Sequence, residues 1–159
     1  MLGRFPDVFT AAVLRNPVIS VGELSASDIP DWANAEFDIQ CPFSMLSFPL
    51  SPSDGGVLPE KITTQLGMIP TVYQKLYDAS PMRLADKVTA NVLLLIGRDD
   101  LSAPPTQGYG YYHALRAHQG AAKRGRVDML VFDGESHPLN GVECERVSWE
   151  AAKAWFSQS

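Results

Sequence analysis

The sequence predicts an open α/β fold, a parallel sheet covered by helices, and three features lead there. Short apolar runs at 9–14, 92–96 and 127–132 read as buried strands, helical patterns lie between and after them, and the last two runs open directly into polar turn-forming residues. Strands joined by long helical crossovers run parallel with right-handed connections.

The first run is FTAAVL, 9–14, and the second (VLLLI, 92–96) has no polar alternation, the pattern of a strand covered on both faces. The third is VDMLVF, 127–132. Residues 59–78 place Ile62, Leu66, Ile69, Val72, Tyr73 and Leu76 at three- and four-residue spacings, with Pro70 expected to kink or split them into an insertion helix pair. Residues 105–118 open on a Pro suited to a first helical turn, carry Tyr109, Tyr112, Leu115 and His118 at spacings of three, and are expected to stop before Gly120. Residues 146–156 set Val147, Ala151, Ala154 and Trp155 on one side of a terminal helix. Five prolines from Pro30 to Pro59 and the turn signal Ser53-Asp54-Gly55-Gly56 mark the stretch 20–58, which predicts an irregular excursion at the carboxyl edge of the sheet. The expected organisation is one domain over 1–159 with an irregular insertion at about 20–80.

Composition excludes several classes. With 159 residues and 45% hydrophobic side chains the chain can bury a core of its own, so disorder and simple fibres are not expected. Thirteen basic against 18 acidic side chains give a net charge of -5, which supplies no broad cationic footprint for nucleic acid or an anionic membrane. Lys123, Arg124 and Arg126 form the only basic cluster and read as a solvated loop. No run reaches the ~20 apolar residues of a spanning helix, and residues 1–10 lack the apolar stretch of a signal peptide, so a soluble, cytoplasmic protein is expected. Cys41 and Cys144 sit in no Cys-x-x-Cys spacing and read as free thiols.

The candidate chemistry follows the second and third strands. The second leads into Gly97-Arg98-Asp99-Asp100-Leu101-Ser102-Ala103-Pro104, the third into Asp133-Gly134-Glu135-Ser136-His137-Pro138. A carboxylate and an imidazole thus each lie just past the carboxyl end of a parallel strand, where open α/β sheets build sites. The separation of Asp100 and His137 is 137 − 100 = 37 residues, enough for one helix to return the chain to the neighbouring strand. A carboxylate on one imidazole nitrogen fixes the tautomer and frees the other nitrogen as a general base. Asp before His is the tail of the Ser, Asp, His order of α/β-hydrolases.

At these residues the chain resembles the carboxyl-terminal part of the acylaminoacyl-peptidase (acylpeptide hydrolase) family, in the prolyl oligopeptidase group of serine peptidases. The matching stretches are FTAAVLRNPV at 9–18, SDIPDW at 27–32, Ser80-Pro81-Met82-Arg83, LLIGRDDLSAP at 94–104, GYGYYHAL at 108–115 and VFDGESHPL at 131–139. RNPV followed by DIPDW is the most particular of them. The resemblance implies the carboxyl-terminal half of an α/β-hydrolase fold, with about three parallel strands flanked by helices, and a catalytic Asp100 (not Asp99) and His137. It implies release of N-acyl amino acids from blocked peptides through an acyl-enzyme, with an N-acylated peptide as the partner molecule and no metal or organic cofactor.

The family's serine lies in a G-x-S-x-G elbow ahead of the segment matching 9–14, and a β-propeller precedes its catalytic domain. No G-x-S-x-G occurs in these 159 residues; the nearest string, Gly134-Glu135-Ser136-His137-Pro138, ends in Pro and sets its serine beside the proposed base. The expectation is therefore a partial catalytic domain, inactive by itself, whose first strand presents an open edge for association. Two alternatives are a non-catalytic truncated product or interaction module, and a part of another α/β-hydrolase acting on esters.

Other polar and aromatic residues read as structural. His113 and His118 fall on different helical faces, which does not suit a metal. Trp32, Trp149 and Trp155 read as packing residues, and Tyr109, Tyr111 and Tyr112 as helix surface and core. Arg15, in Arg15-Asn16-Pro17, reads either as a contact to a substrate carbonyl or carboxylate or as a hydrogen bond to the excursion.

Overall fold

The run of five apolar residues at 92–96 becomes the middle strand of the sheet, packed on both faces. A computed structural model describes residues 1–29, 36, 70–122 and 125–158. Strands β1 (Ala11–Arg15), β2 (Asn91–Gly97) and β3 (Val127–Phe132) form one sheet in the order β1-β2-β3. Both pairings are parallel, with Val13 opposite Leu93 and Leu95 opposite Leu130. The helices are α1 (Pro70–Ala79), α2 (Pro105–Ala122) and α3 (Val142–Ser157), with 3-10 segments at Val21–Ala26 and Pro81–Lys87.

Because side chains alternate across a strand, β2 feeds two cores. Val92, Leu94 and Ile96 pack with Ile19, Val88 and with Tyr111 and Leu115 of α2. Leu93 and Leu95 pack on the other face with Leu139 and with Cys144 and Trp155 of α3. Each fully buried aliphatic side chain contributes about 1.5–3 kcal/mol, so the doubly covered strand is the main source of stability. A third, smaller cluster joins Val21 and Leu24 to Leu76 of α1.

Element ends depart from the sequence expectation where long-range contacts set them. Turns through residues 1–8, closed by bonds such as Phe5 N to Met1 O at 3.0 Å, delay β1 until Ala11, and Asn16 N donating to Leu95 O at 2.9 Å carries it through Arg15. Helix α1 starts at Pro70; the pattern expected at 59–69 lies outside the described residues, as does most of the excursion. Helix α2 runs past Gly120, because buried Gln119 donates from Nε2 to Ala90 O at 3.0 Å and anchors the last turn. Helix α3 starts about one turn before 146, where Glu135 Oε2 accepts from Gly141 N at 3.1 Å and Glu143 and Glu145 face the positive helix end.

Two side-chain expectations are corrected. Ala154 is exposed, since the inward face of α3 runs through Cys144, Ser148, Ala151 and Trp155. Trp149 is 75% exposed rather than packed, one helical step off that face. Trp155 is buried and donates to Asn91 O at 3.4 Å under the Arg126 guanidinium, 4.6 Å from its ring. Tyr111 is buried while Tyr109 and Tyr112 are half-buried. His113 and His118 are exposed, and Trp32, Cys41, Lys123 and Arg124 lie outside the described residues.

Replacing Leu94, fully buried in the centre of β2, by Ala is expected to cost about 2–5 kcal/mol in a urea melt, a large share of the ~5–15 kcal/mol of a small domain. Burial pushes the Tyr111 phenol from 10.0 up to about 12. The unfolded phenol therefore ionises first, so this group's contribution is present below pH about 10 and is lost as pH rises through about 12. Tyr111→Phe is expected to remove the component near pH 12 from the tyrosine absorbance titration.

Candidate active site

Parallel pairing brings the ends of β2 and β3 level, with Gly97 opposite Phe132. The two following loops then bond to each other: Arg98 N donates to Phe132 O and Asp99 N to Glu135 O, both at 3.0 Å. Their approach needs a glycine, because a Cβ on Gly97 would lie 2.6 Å from Glu135 O and 2.8 Å from Ser136 O. An exposed Arg98–Asp133 ion pair at 2.7 Å adds at most about 1 kcal/mol.

Inside this junction the turn after β2 folds the Asp100 side chain back under the loop, leaving the residue 1% exposed. Oδ1 accepts from Ser102 N at 2.8 Å and Ala103 N at 2.9 Å, and Oδ2 accepts from His137 Nδ1 at 2.8 Å. A carboxylate has no proton to give, so the ring carries its proton on Nδ1 and Nε2 is left able to take one. The His137 side chain is 48% exposed, whereas that of Asp100 is fully buried. Asp99 is exposed and takes part through its backbone.

The His137 loop is held from below. Leu139 adopts φ 53, in the left-handed region that costs a residue with Cβ about 1–2 kcal/mol, yet its side chain is fully buried in the α3-side core, which offsets that cost. Leu139 N donates to Ser136 O at 3.2 Å and closes the turn.

Sequence reasoning missed Asn16 and did not foresee that Arg15 contacts the His137 loop. Asn16 is 4% exposed at the end of β1; its Oδ1 accepts from Gly97 N at 2.7 Å while Nδ2 donates to Ser136 O at 3.1 Å and His137 O at 3.0 Å. Arg15 Nη2 donates to Leu139 O at 2.9 Å and Pro138 O at 3.3 Å, so among the described residues its hydrogen bonds go to the His137 loop. The signal available was an Asn that tolerates φ > 0 between a strand and a Pro. Ser136 sits on the exposed turn next to His137, and Cys144 is a buried free thiol whose pKa is raised by burial. Among the described residues no group of His, Cys, Asp and Glu is placed to hold a metal ion, and no helix is long and apolar enough to cross a membrane.

No protein-family model matches the chain. The curated acylamino-acid-releasing enzyme of Rattus norvegicus is 31% identical over 157 residues, covering 98% of this chain and 18% of that enzyme. This is an acylaminoacyl-peptidase-like region. A solved puromycin hydrolase superposes with a TM-score of 0.63 at 20% identity, over 96% of this chain and 18% of its own. A solved acylaminoacyl peptidase gives 0.60 at 20% identity, over 91% and 19%. At that identity the two structures establish the fold alone, part of an α/β-hydrolase fold, here a three-stranded parallel sheet flanked by helices. The region spans about 18% of the length of the curated relatives.

Within this acylaminoacyl-peptidase-like region, Gly97→Ala forces the new methyl against two backbone carbonyls that cannot rotate away. The expected result is a loss of about 1–3 kcal/mol in chemical denaturation, together with displacement of the His137 loop in the variant's crystal structure.

Proposed function

We propose that this region supplies the acid–base half of a serine peptidase active site, with His137 as general base and Asp100 as the carboxylate that orients it. The observation that carries the reading is the 2.8 Å contact from His137 Nδ1 to Asp100 Oδ2 across the carboxyl ends of adjacent parallel strands. His137 Nε2 takes the proton of a serine hydroxyl as its oxygen attacks the scissile carbonyl. It then gives that proton to the leaving amine, and a water repeats the sequence to release the acyl group. Asp100 holds the ring in the required tautomer and stabilises the imidazolium formed in each step.

The serine itself comes from outside these residues, since no G-x-S-x-G elbow occurs in the 159. Without the nucleophile the loss of turnover in a triad that acts as a unit is about 10⁶-fold. The likeness to acylamino-acid-releasing enzymes supports N-acylated peptides as the substrate class. A second reading, association without catalysis, is favoured by β1, which has a strand partner on one side only among the described residues.

A fluorophosphonate, which modifies activated serines, separates the two. The endogenous polypeptide carrying residues 127–146, located by mass spectrometry in size-separated lysate, is expected to be much larger than 17.4 kDa and to be labelled at a serine outside the 159 residues. It is expected to cleave N-acetyl-amino-acid anilides in preference to simple esters. Label on any serine of the 159, or an unlabelled polypeptide of about 17 kDa, overturns the catalytic reading, and the latter favours association.

A further inference from the structure

Five consecutive backbone carbonyls around His137 each accept a hydrogen bond, and four of the five are reached by two adjacent side chains more than a hundred residues earlier in the chain. Asp99 N reaches Glu135 O, Asn16 Nδ2 reaches Ser136 O and His137 O, and Arg15 Nη2 reaches Pro138 O and Leu139 O. An irregular loop has no ladder to satisfy such carbonyls, so its position is set by whatever donates to them. Resting on the acid–base reading above, we infer that Asn16 and Arg15 are positioning residues that hold His137 in register with Asp100.

The chemistry of Asn16 suits this role in each detail. The Gly97 amide can only donate, which orients the Asn16 oxygen toward β2 and turns both N–H groups toward the His137 loop. One side chain therefore ties together the end of β2, just ahead of Asp100, and the backbone of His137. Its φ of 38 folds the side chain back over the strand ends, a conformation Asn adopts more readily than residues other than Gly. With the backbone at 136 and 137 pinned from this side, only the ring torsions of His137 remain to complete the 2.8 Å contact. A 1 Å drift of the loop takes that contact beyond hydrogen-bond range.

Asn16→Asp keeps the acceptor for Gly97 and the tolerance for positive φ, but replaces both donors with an oxygen facing two carbonyls. Asn16→Gly keeps the backbone conformation and removes the side chain. Arg15→Met, at a side chain 44% exposed, frees the carbonyls of 138 and 139. The readout is the His137 ring in ¹H–¹⁵N spectra of the full chain: a protected Nδ1–H signal and ¹⁵N shifts of a single tautomer. Leu94→Val serves as a control that lowers stability without touching the loop.

The expected result is loss of the protected Nδ1–H signal and a mixed tautomer in both Asn16 variants, a weakened signal in Arg15→Met, and no change in the control. If either Asn16 variant does not fold, the Arg15→Met spectrum decides. Persistence of the wild-type signature in the folded variants overturns the positioning role while leaving the Asp100–His137 reading intact. Absence of the signature in the wild type overturns both.

Discussion

The structure is organised around one costly act, the removal of the Asp100 carboxyl group from water. An unpaired carboxylate in the interior costs several kcal/mol, so the site is possible only because every side of that group is met. Two amides of its own turn, Ser102 N and Ala103 N, hold one oxygen, and His137 holds the other. The first two partners are local. The third depends on the register of β2 and β3, on the absence of a side chain at Gly97, and on the loop that carries His137.

That dependence explains why the sheet is built as it is. The parallel arrangement delivers three strand ends to one edge, and α2 and α3 cover opposite faces so that β2 is buried along its length. The end of β1 contributes donors, the end of β2 the carboxylate, and the end of β3 the imidazole. Exposed ion pairs such as Arg146 with Glu143 and Glu150 decorate α3 and add little; apolar burial fixes the strands and the buried polar contacts at their ends fix the chemistry.

Much of this was legible in the sequence. The boundaries of β3 matched the apolar run at 127–132, and the unbroken run at 92–96 marked the doubly covered strand because burial on both faces removes any need for alternation. Asp100 and His137 stood out by their place after two strands. What was not legible depends on distance along the chain. Asn16 and the loop it holds are 120 residues apart, and no local pattern records that pairing. The ends of α2 and α3 are likewise decided by Gln119 and Glu135 reaching other elements, and the exposed face of Trp149 by where the inward stripe of α3 falls.

Two acidic residues stand side by side in the turn after β2 in opposite surroundings: Asp100 is buried against the imidazole, and Asp99 lies on the surface with its amide bonded to Glu135 O. The most direct measurement is kcat/KM on an N-acetyl-amino-acid p-nitroanilide for Asp100→Asn and Asp99→Asn in the polypeptide that carries this region together with its serine. Asp100→Asn is predicted to lower kcat/KM by about 10⁴-fold, the scale on which a serine peptidase loses activity when its histidine is held in the wrong tautomer, with Asp99→Asn near the parent value. Equal losses in the two variants, or full activity without the Asp100 carboxylate, would contradict the account.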